Sequence, residues 1–109
     1  MTISEILPAR PIGLAALVEY APGSIVSRVV HRGGAGSITL FAFDSGQDVS
    51  EHTTACDAYA LVLDGRADLN IGGERARAEA GQVVMMPAGV PHSIRAAERF
   101  KMLLIMMRS

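Results

Sequence analysis

The chain has 109 residues with 10 basic and 11 acidic side chains, so its formal net charge is −1. A nucleic-acid interface is not expected, because the charges nearly cancel and form no runs. The apolar stretches are too short to span a membrane, the start lacks a secretion signal, and the single cysteine, Cys56, excludes an internal disulfide. These features predict one soluble, cytoplasmic domain over residues 1–109.

The predicted elements are one short N-terminal helical segment followed only by strands. Residues 12–18 have helix-like spacing after a proline, and the Asp64-Gly65 dipeptide predicts a hairpin turn. Glycine-rich turns separate short runs with alternating or β-branched residues, which is typical of an all-β sandwich or barrel. Strands are expected at residues 24–32, 37–43, 57–63, 66–71, 74–80, 82–86, 92–96 and 99–107.

A stiff turn precedes one of the three histidines. Pro87 starts this turn, Gly89 permits a positive φ, and Pro91 restricts the approach to the next strand. The turn therefore fixes where His92 begins its strand, and a rigid element that places an imidazole is typical of a binding site.

This segment resembles the second motif of the cupins, G-x5-P-x-G-x2-H-x3-N. The matching residues are Gly81, Pro87, Gly89 and His92, with Ala96 in place of the asparagine. The first cupin motif, G-x5-H-x-H-x3-E-x6-G, is similar at Gly46, His52 and Gly65. A small single-domain bacterial cupin of the cupin 2 type is therefore indicated. The resemblance implies a jelly-roll barrel (a double-stranded β-helix) with its core at about residues 24–107, a short helical or irregular N-terminal segment, and a homodimer.

The first motif lacks two of the ligands that metal-binding cupins use. In that family two histidines and a glutamate of the first motif join the histidine of the second. Here the four positions hold His52, Thr54, Ala58 and His92. Asp57 could supply a third ligand, but it is one residue out of phase and would need a bulge to face inward. The resemblance therefore implies no certain cofactor, with a divalent transition metal (Zn, Ni, Mn or Fe) bound at most weakly by His52 and His92.

We expect a small organic molecule to bind inside the barrel around His52 and His92. The expected lining residues are Thr54, Cys56, Asp57 and Met86. A subset of small cupins of unassigned function shares the pattern S-E-H-x4-D-A found at residues 50–58. One alternative is a metal-dependent oxygenase or isomerase that uses both histidines with Asp57 or water. Another is a sensor module without catalysis.

Several of these residues also have ordinary structural interpretations. Both histidines could be neutral groups hydrogen-bonded to water or backbone at the barrel mouth. Cys56 could be a buried apolar side chain, and Asp57 a cap or turn former. Met85 is expected in the core, and His31 is expected on the surface. The apolar C-terminal strand supports the predicted homodimer.

Overall fold

The computed structural model describes residues 6–108; residues 1–5 and 109, the ends of the predicted domain, lie outside the described part. Within it the chain forms a single-turn 3-10 helix, Leu14–Leu17, and eight strands. These are β1 (Ile25–Gly33), β2 (Gly36–Phe43), β3 (Asp48–His52), β4 (Asp57–Ile71), β5 (Glu74–Glu79), β6 (Val83–Met86), β7 (His92–Arg95) and β8 (Phe100–Met107). No helix in this part of the chain has the length and apolar character needed to cross a membrane.

The strands form two antiparallel sheets that share the long strand β4. Sheet A has the order β1-β2-β8-β4-β6 and uses residues 57–65 of β4. Sheet B has the order β3-β7-β4-β5 and uses residues 66–71 of the same strand. Because one strand belongs to both sheets, the whole curls into a barrel. The predicted all-β jelly-roll architecture is confirmed.

The predicted hairpin at Asp64-Gly65 is wrong, because β4 continues through it. A β-bulge lies between Val62 and Asp64, and Gly65 follows with a φ of 71°. Bulges and left-handed glycines bend a strand without ending it. The dipeptide therefore forms the corner at which β4 leaves sheet A and enters sheet B.

The short strand β3 was missed by the sequence prediction. Its five residues, Asp48–His52, include only one aliphatic side chain, Val49, so the alternation gives a weak signal. The strand is specified instead by its pairing with β7, in which Val49 lies opposite Ile94. A tertiary contact, rather than local propensity, determines this element.

The inner faces of the two sheets enclose the main core. Strand alternation directs small residues of β4, such as Ala58 and Ala60, inward, where larger side chains fill the space beside them. Phe43 and Phe100 stack there with ring centroids 4.5 Å apart. Each fully buried large apolar side chain contributes about 1.5–3 kcal/mol to folding, so this cluster is the main source of stability.

The N-terminal segment packs on the outer face of sheet A. Its helix is shorter than the predicted residues 12–18, because Gly13 and Val18 have extended backbones. Leu17 and Val18 join a second buried cluster on that face. Two cationic side chains of the sheet fix the segment: Lys101 Nζ donates to the carbonyl of Ala15 at 2.7 Å, and Arg28 Nη1 donates to that of Leu17 at 3.0 Å.

Tyr20 ends this segment against sheet A. Its hydroxyl donates to Asp64 Oδ2 at 2.6 Å, and the guanidinium of Arg99 lies 4.6 Å from the ring centroid. Burial and the hydrogen bond to Asp64 raise the pKa of Tyr20 well above its usual range. The neutral phenol is therefore the form that holds the segment in place.

Candidate functional site

His52 and His92 lie side by side at the edge of sheet B. His52 ends β3, His92 begins β7, and the two residues are paired in the strand register. Between this pair and the Val49–Ile94 pair, β3 advances three residues while β7 advances two. The extra residue is a β-bulge, which shifts His52 onto the same face as His92.

The two imidazole rings are in edge-to-face contact. Their centroids are 4.4 Å apart and their planes differ by 65°. His92 is 3% exposed, whereas His52 is exposed to solvent. The pair therefore runs from the protein interior to the surface, and a ligand would reach it from the His52 side.

Each ring is oriented by the backbone carbonyl of the residue two positions before it. His52 Nδ1 is 2.9 Å from the carbonyl oxygen of Ser50, and His92 Nδ1 is 3.2 Å from that of Val90. A carbonyl oxygen only accepts hydrogen bonds, so each Nδ1 carries the proton and donates it. In the neutral ring the Nε2 lone pair is then left to accept a hydrogen bond or to bind a metal ion.

Thr54, Cys56 and Asp57, three other predicted site residues, are tied to the turn before His92. The carbonyl oxygen of Thr54 accepts from the amide of Gly89 at 2.9 Å, and the hydroxyl of Thr54 donates to the carbonyl of Cys56 at 2.9 Å. Asp57 Oδ1 accepts from the amide of Ala88 at 2.9 Å. The half-buried thiol of Cys56 is free. These contacts fix the residue 87–90 turn and, through it, the position of His92.

Met86 and Ala58 form an apolar wall inside the barrel. Ala58, which occupies the glutamate position of the motif, is buried between its strand neighbours Met86 and Met106. Met86 is 1% exposed, whereas Met85 points outward at 38% exposure, so the prediction of Met85 as a core residue is wrong. His31 is exposed, as predicted.

The donor groups present do not fit the four-ligand metal centre of the family. Two imidazoles are available, but Thr54 donates its hydroxyl to a carbonyl and Ala58 has no donor atom. Asp57 accepts a hydrogen bond from the turn residue Ala88, and strand alternation directs it to the opposite face from the buried Ala58. Residues 6–108 contain no cluster of three or more His, Cys, Asp or Glu side chains able to hold a metal ion.

A groove on the outer face of sheet B was missed by the sequence reasoning. It has a volume of about 580 Å³ and includes Arg75, Arg77 and Arg95 in its lining. It is not the pocket predicted inside the barrel, because the imidazole pair lies on the other face of the sheet. The alternation of arginines with alanines at residues 75–78 was the available signal, but it was used only to predict a strand at residues 74–80.

Comparison with known proteins gives one family. A family model described as "Cupin domain" matches residues 39–107. A protein of unknown function from Streptococcus pyogenes has a crystal structure that covers 100% of this chain and 96% of its own, with 33% identity and a TM-score of 0.90. A cupin superfamily protein from Desulfitobacterium hafniense matches with 29% identity and a TM-score of 0.90, covering 100% of both chains.

A curated relative is similar over a shorter stretch. An uncharacterised protein of Streptomyces coelicolor is 39% identical over 56 residues, which is 51% of this chain and 53% of that protein. The chain thus spans about half the length of this relative.

Proposed function

The chain belongs to the cupin family, and from this premise we propose that it binds a small organic molecule at the barrel mouth, where His52 and His92 meet. The observation that carries the proposal is the imidazole pair itself. Two rings with centroids 4.4 Å apart each have Nδ1 engaged by a backbone carbonyl, which leaves both Nε2 atoms for a ligand.

The chemistry of the site favours a ligand with a hydrogen-bond donor and an apolar part. With Nδ1 donating to a carbonyl, the remaining Nε2 of each ring can accept a hydrogen bond, which suits a ligand with a hydroxyl or amine group. Ala58 and Met86 belong to the apolar interior of the barrel, and methionine adapts to irregular apolar shapes. Such a combination of apolar lining and a few polar groups is typical of small-molecule sites.

The test is a thermal-shift screen of metabolite mixtures, with hits remeasured by isothermal titration calorimetry. We expect His52→Ala to weaken the binding of a hit by about tenfold or more, because a hydrogen bond inside a partly dry site is lost. His31→Ala is the matched control, since this exposed histidine lies on β1. Equal affinity of the His52→Ala variant and the wild type would refute the proposed site.

The second candidate is a metal-dependent oxygenase or isomerase, favoured by the two neighbouring imidazole rings, whose centroids are 4.4 Å apart. The residues support it less well, because a catalytic zinc commonly has three protein ligands and the facial iron triad adds a carboxylate. We therefore expect sub-stoichiometric metal in the purified protein and unchanged ligand affinity after chelation. Stoichiometric metal that disappears in the His52→Ala, His92→Ala double variant would support the enzyme instead.

We also propose a cytoplasmic location, because a free thiol such as that of Cys56 stays reduced there. Cell fractionation with antibody detection tests this location, and recovery in the extracellular fraction would contradict it.

A further inference from the structure

The groove on the outer face of sheet B has the features of a separate binding site. It crosses β5, β4 and β7, and its volume of about 580 Å³ lies within the range of small-molecule sites. Leu69 and Ala76 are turned toward the core, so their backbone forms the floor. The polar lining residues are Asp68, Asn70, Arg75, Arg77, Ser93 and Arg95.

The strand register places arginines on both sides of the groove. Asn70 and Asp68 occupy the central strand, with Arg75 and Arg77 as their respective partners on β5. On the other side Arg95 of β7 is paired with Asp68. Neighbouring strands are about 4.8 Å apart, so the two flanking strands are separated by about 10 Å. Arginine side chains from the two walls can therefore contact one small ligand.

The lining of the groove carries more positive than negative charge, because it has three arginines and one aspartate. Arg77 Nε donates to Asp68 Oδ1 at 3.1 Å, which uses the carboxylate of the lining. Neither Arg75 nor Arg95 forms an ion pair among residues 6–108, although Asp48 of β3 is a strand neighbour of Arg95. With Asp48 included, three guanidinium groups lie beside two carboxylates, and neither carboxylate pairs with Arg75 or Arg95, in a chain whose overall charge is −1.

The free groups match the requirements of an oxyanion. A guanidinium group presents paired N–H donors in a plane and binds carboxylate or phosphate with two parallel hydrogen bonds. The hydroxyl of Ser93 and the amide of Asn70, which are strand partners, add neutral donors at the centre of the groove. The carboxylate of Asp68 fixes Arg77 and so orients one wall before a ligand arrives.

We propose that this groove binds a small organic dianion, a molecule with one phosphate group or two carboxylates, through Arg75 and Arg95. The site is independent of the imidazole pair, because alternation along β7 puts Ser93 and Arg95 on one face and His92 and Ile94 on the other. A ligand here would contact the back of the strand that carries His92.

The experiment is a titration of ¹⁵N-labelled full-length protein with inorganic phosphate and, separately, with succinate at constant ionic strength, followed by NMR. We expect saturable shifts of the backbone amides at residues 68–70, 75–77 and 93–95. Saturation by phosphate alone would identify a phosphorylated ligand, and saturation by succinate alone a dicarboxylate. Shifts that stay linear for both probes beyond about 10 mM would overturn the proposal.

Charge-matched variants separate a built site from general attraction. We expect the Arg75→Gln, Arg95→Gln double variant to bind the active probe about tenfold or more weakly, because two charge-assisted hydrogen bonds are lost. The control is Arg10→Gln, Arg32→Gln, which removes the same charge from exposed positions outside the groove. An equal loss in both double variants would contradict the proposal. If a variant does not fold, the backbone amide shifts of the wild-type protein in the NMR titration still test the proposal.

Discussion

At the scale of single residues, the position of His92 depends on a side chain that resembles a ligand. Asp57 lies five residues after His52 and was considered as a third metal ligand, although it is one residue out of phase. Its carboxylate instead accepts a hydrogen bond from the amide of Ala88 at 2.9 Å, which holds the turn that leads to His92. A charged acceptor gives a stronger hydrogen bond than a neutral one, so Asp57 acts on the site through the backbone.

Replacing Asp57 tests this positioning role. We expect Asp57→Ala to lower the free energy of unfolding by about 1–2 kcal/mol, because the amide of Ala88 loses its partner. The Asp57→Asn variant keeps an acceptor oxygen and should recover most of the loss. Urea denaturation measures both, and the NMR signals of the His92 ring report whether the turn has moved. Equal stability of the alanine variant and the wild type would exclude the role.

The residues of the site could be predicted to different extents, for physical reasons. His52 and His92 are 40 positions apart, and only the resemblance of their surroundings to the two cupin motifs linked them. The hydrogen-bond partner of Asp57 could not be inferred, because it lies in a turn 31 residues away. The arginine groove was missed because alternating charge on a strand is also the normal pattern of a solvated surface.

At the scale of elements, two β-bulges shape the barrel and its site. One in β3 turns His52 toward His92, and one in β4 precedes the corner at Gly65. Strand periodicity predicts elements that continue in phase, so it can specify neither the bulge positions nor the continuous path of β4. The number of strands was predicted correctly only because the missed β3 offset the single strand at 57–71 that was counted as two.

The corner in β4 predicts a position-specific effect of an added methyl group. Gly65 has a φ of 71°, and a Cβ there would overlap the carbonyl oxygen of Arg99. We expect Gly65→Ala to lower the free energy of unfolding by about 3–5 kcal/mol, since left-handed strain and a backbone clash add together.

The control for this prediction is Gly73→Ala. Gly73 has a similar φ of 86°, but nothing lies within 4 Å of its added Cβ. This variant should therefore lose only the conformational term, about 1–2 kcal/mol. Thermal and urea unfolding measure both variants, and similar losses would show that the approach of Arg99 has no separate effect.

At the scale of the whole molecule, the N-terminal segment covers only part of the outer face of sheet A. Leu17 and Val18 bury Leu40 and Leu103. A patch toward β6 stays uncovered, and its residues are apolar and partly or fully exposed. They are Tyr59, Val83, Met85, Ile105 and Met107.

These residues form one continuous surface in the strand register. Tyr59 is paired with Met85 on one side and with Ile105 on the other, and Leu61 is paired with Val83. A contiguous exposed apolar patch on a chain that is 50% hydrophobic is typical of a protein–protein interface. We propose that a second copy of the chain covers this patch, which makes the homodimer expected for the family.

A charged side chain at the centre of the patch tests the dimer. Val83 is 61% exposed, so Val83→Glu is tolerated in a monomer, but it would bury a charge at the proposed interface. We expect a wild-type dimer at about 10 μM and a dissociation constant raised by about 100-fold in the variant.

The control is Val29→Glu. Val29 is similarly exposed (47%), but alternation along β1 puts it on the other face of sheet A from the patch. Sedimentation velocity measures all three proteins. A monomeric wild type would refute the dimer, and equal dissociation by both variants would place the interface elsewhere.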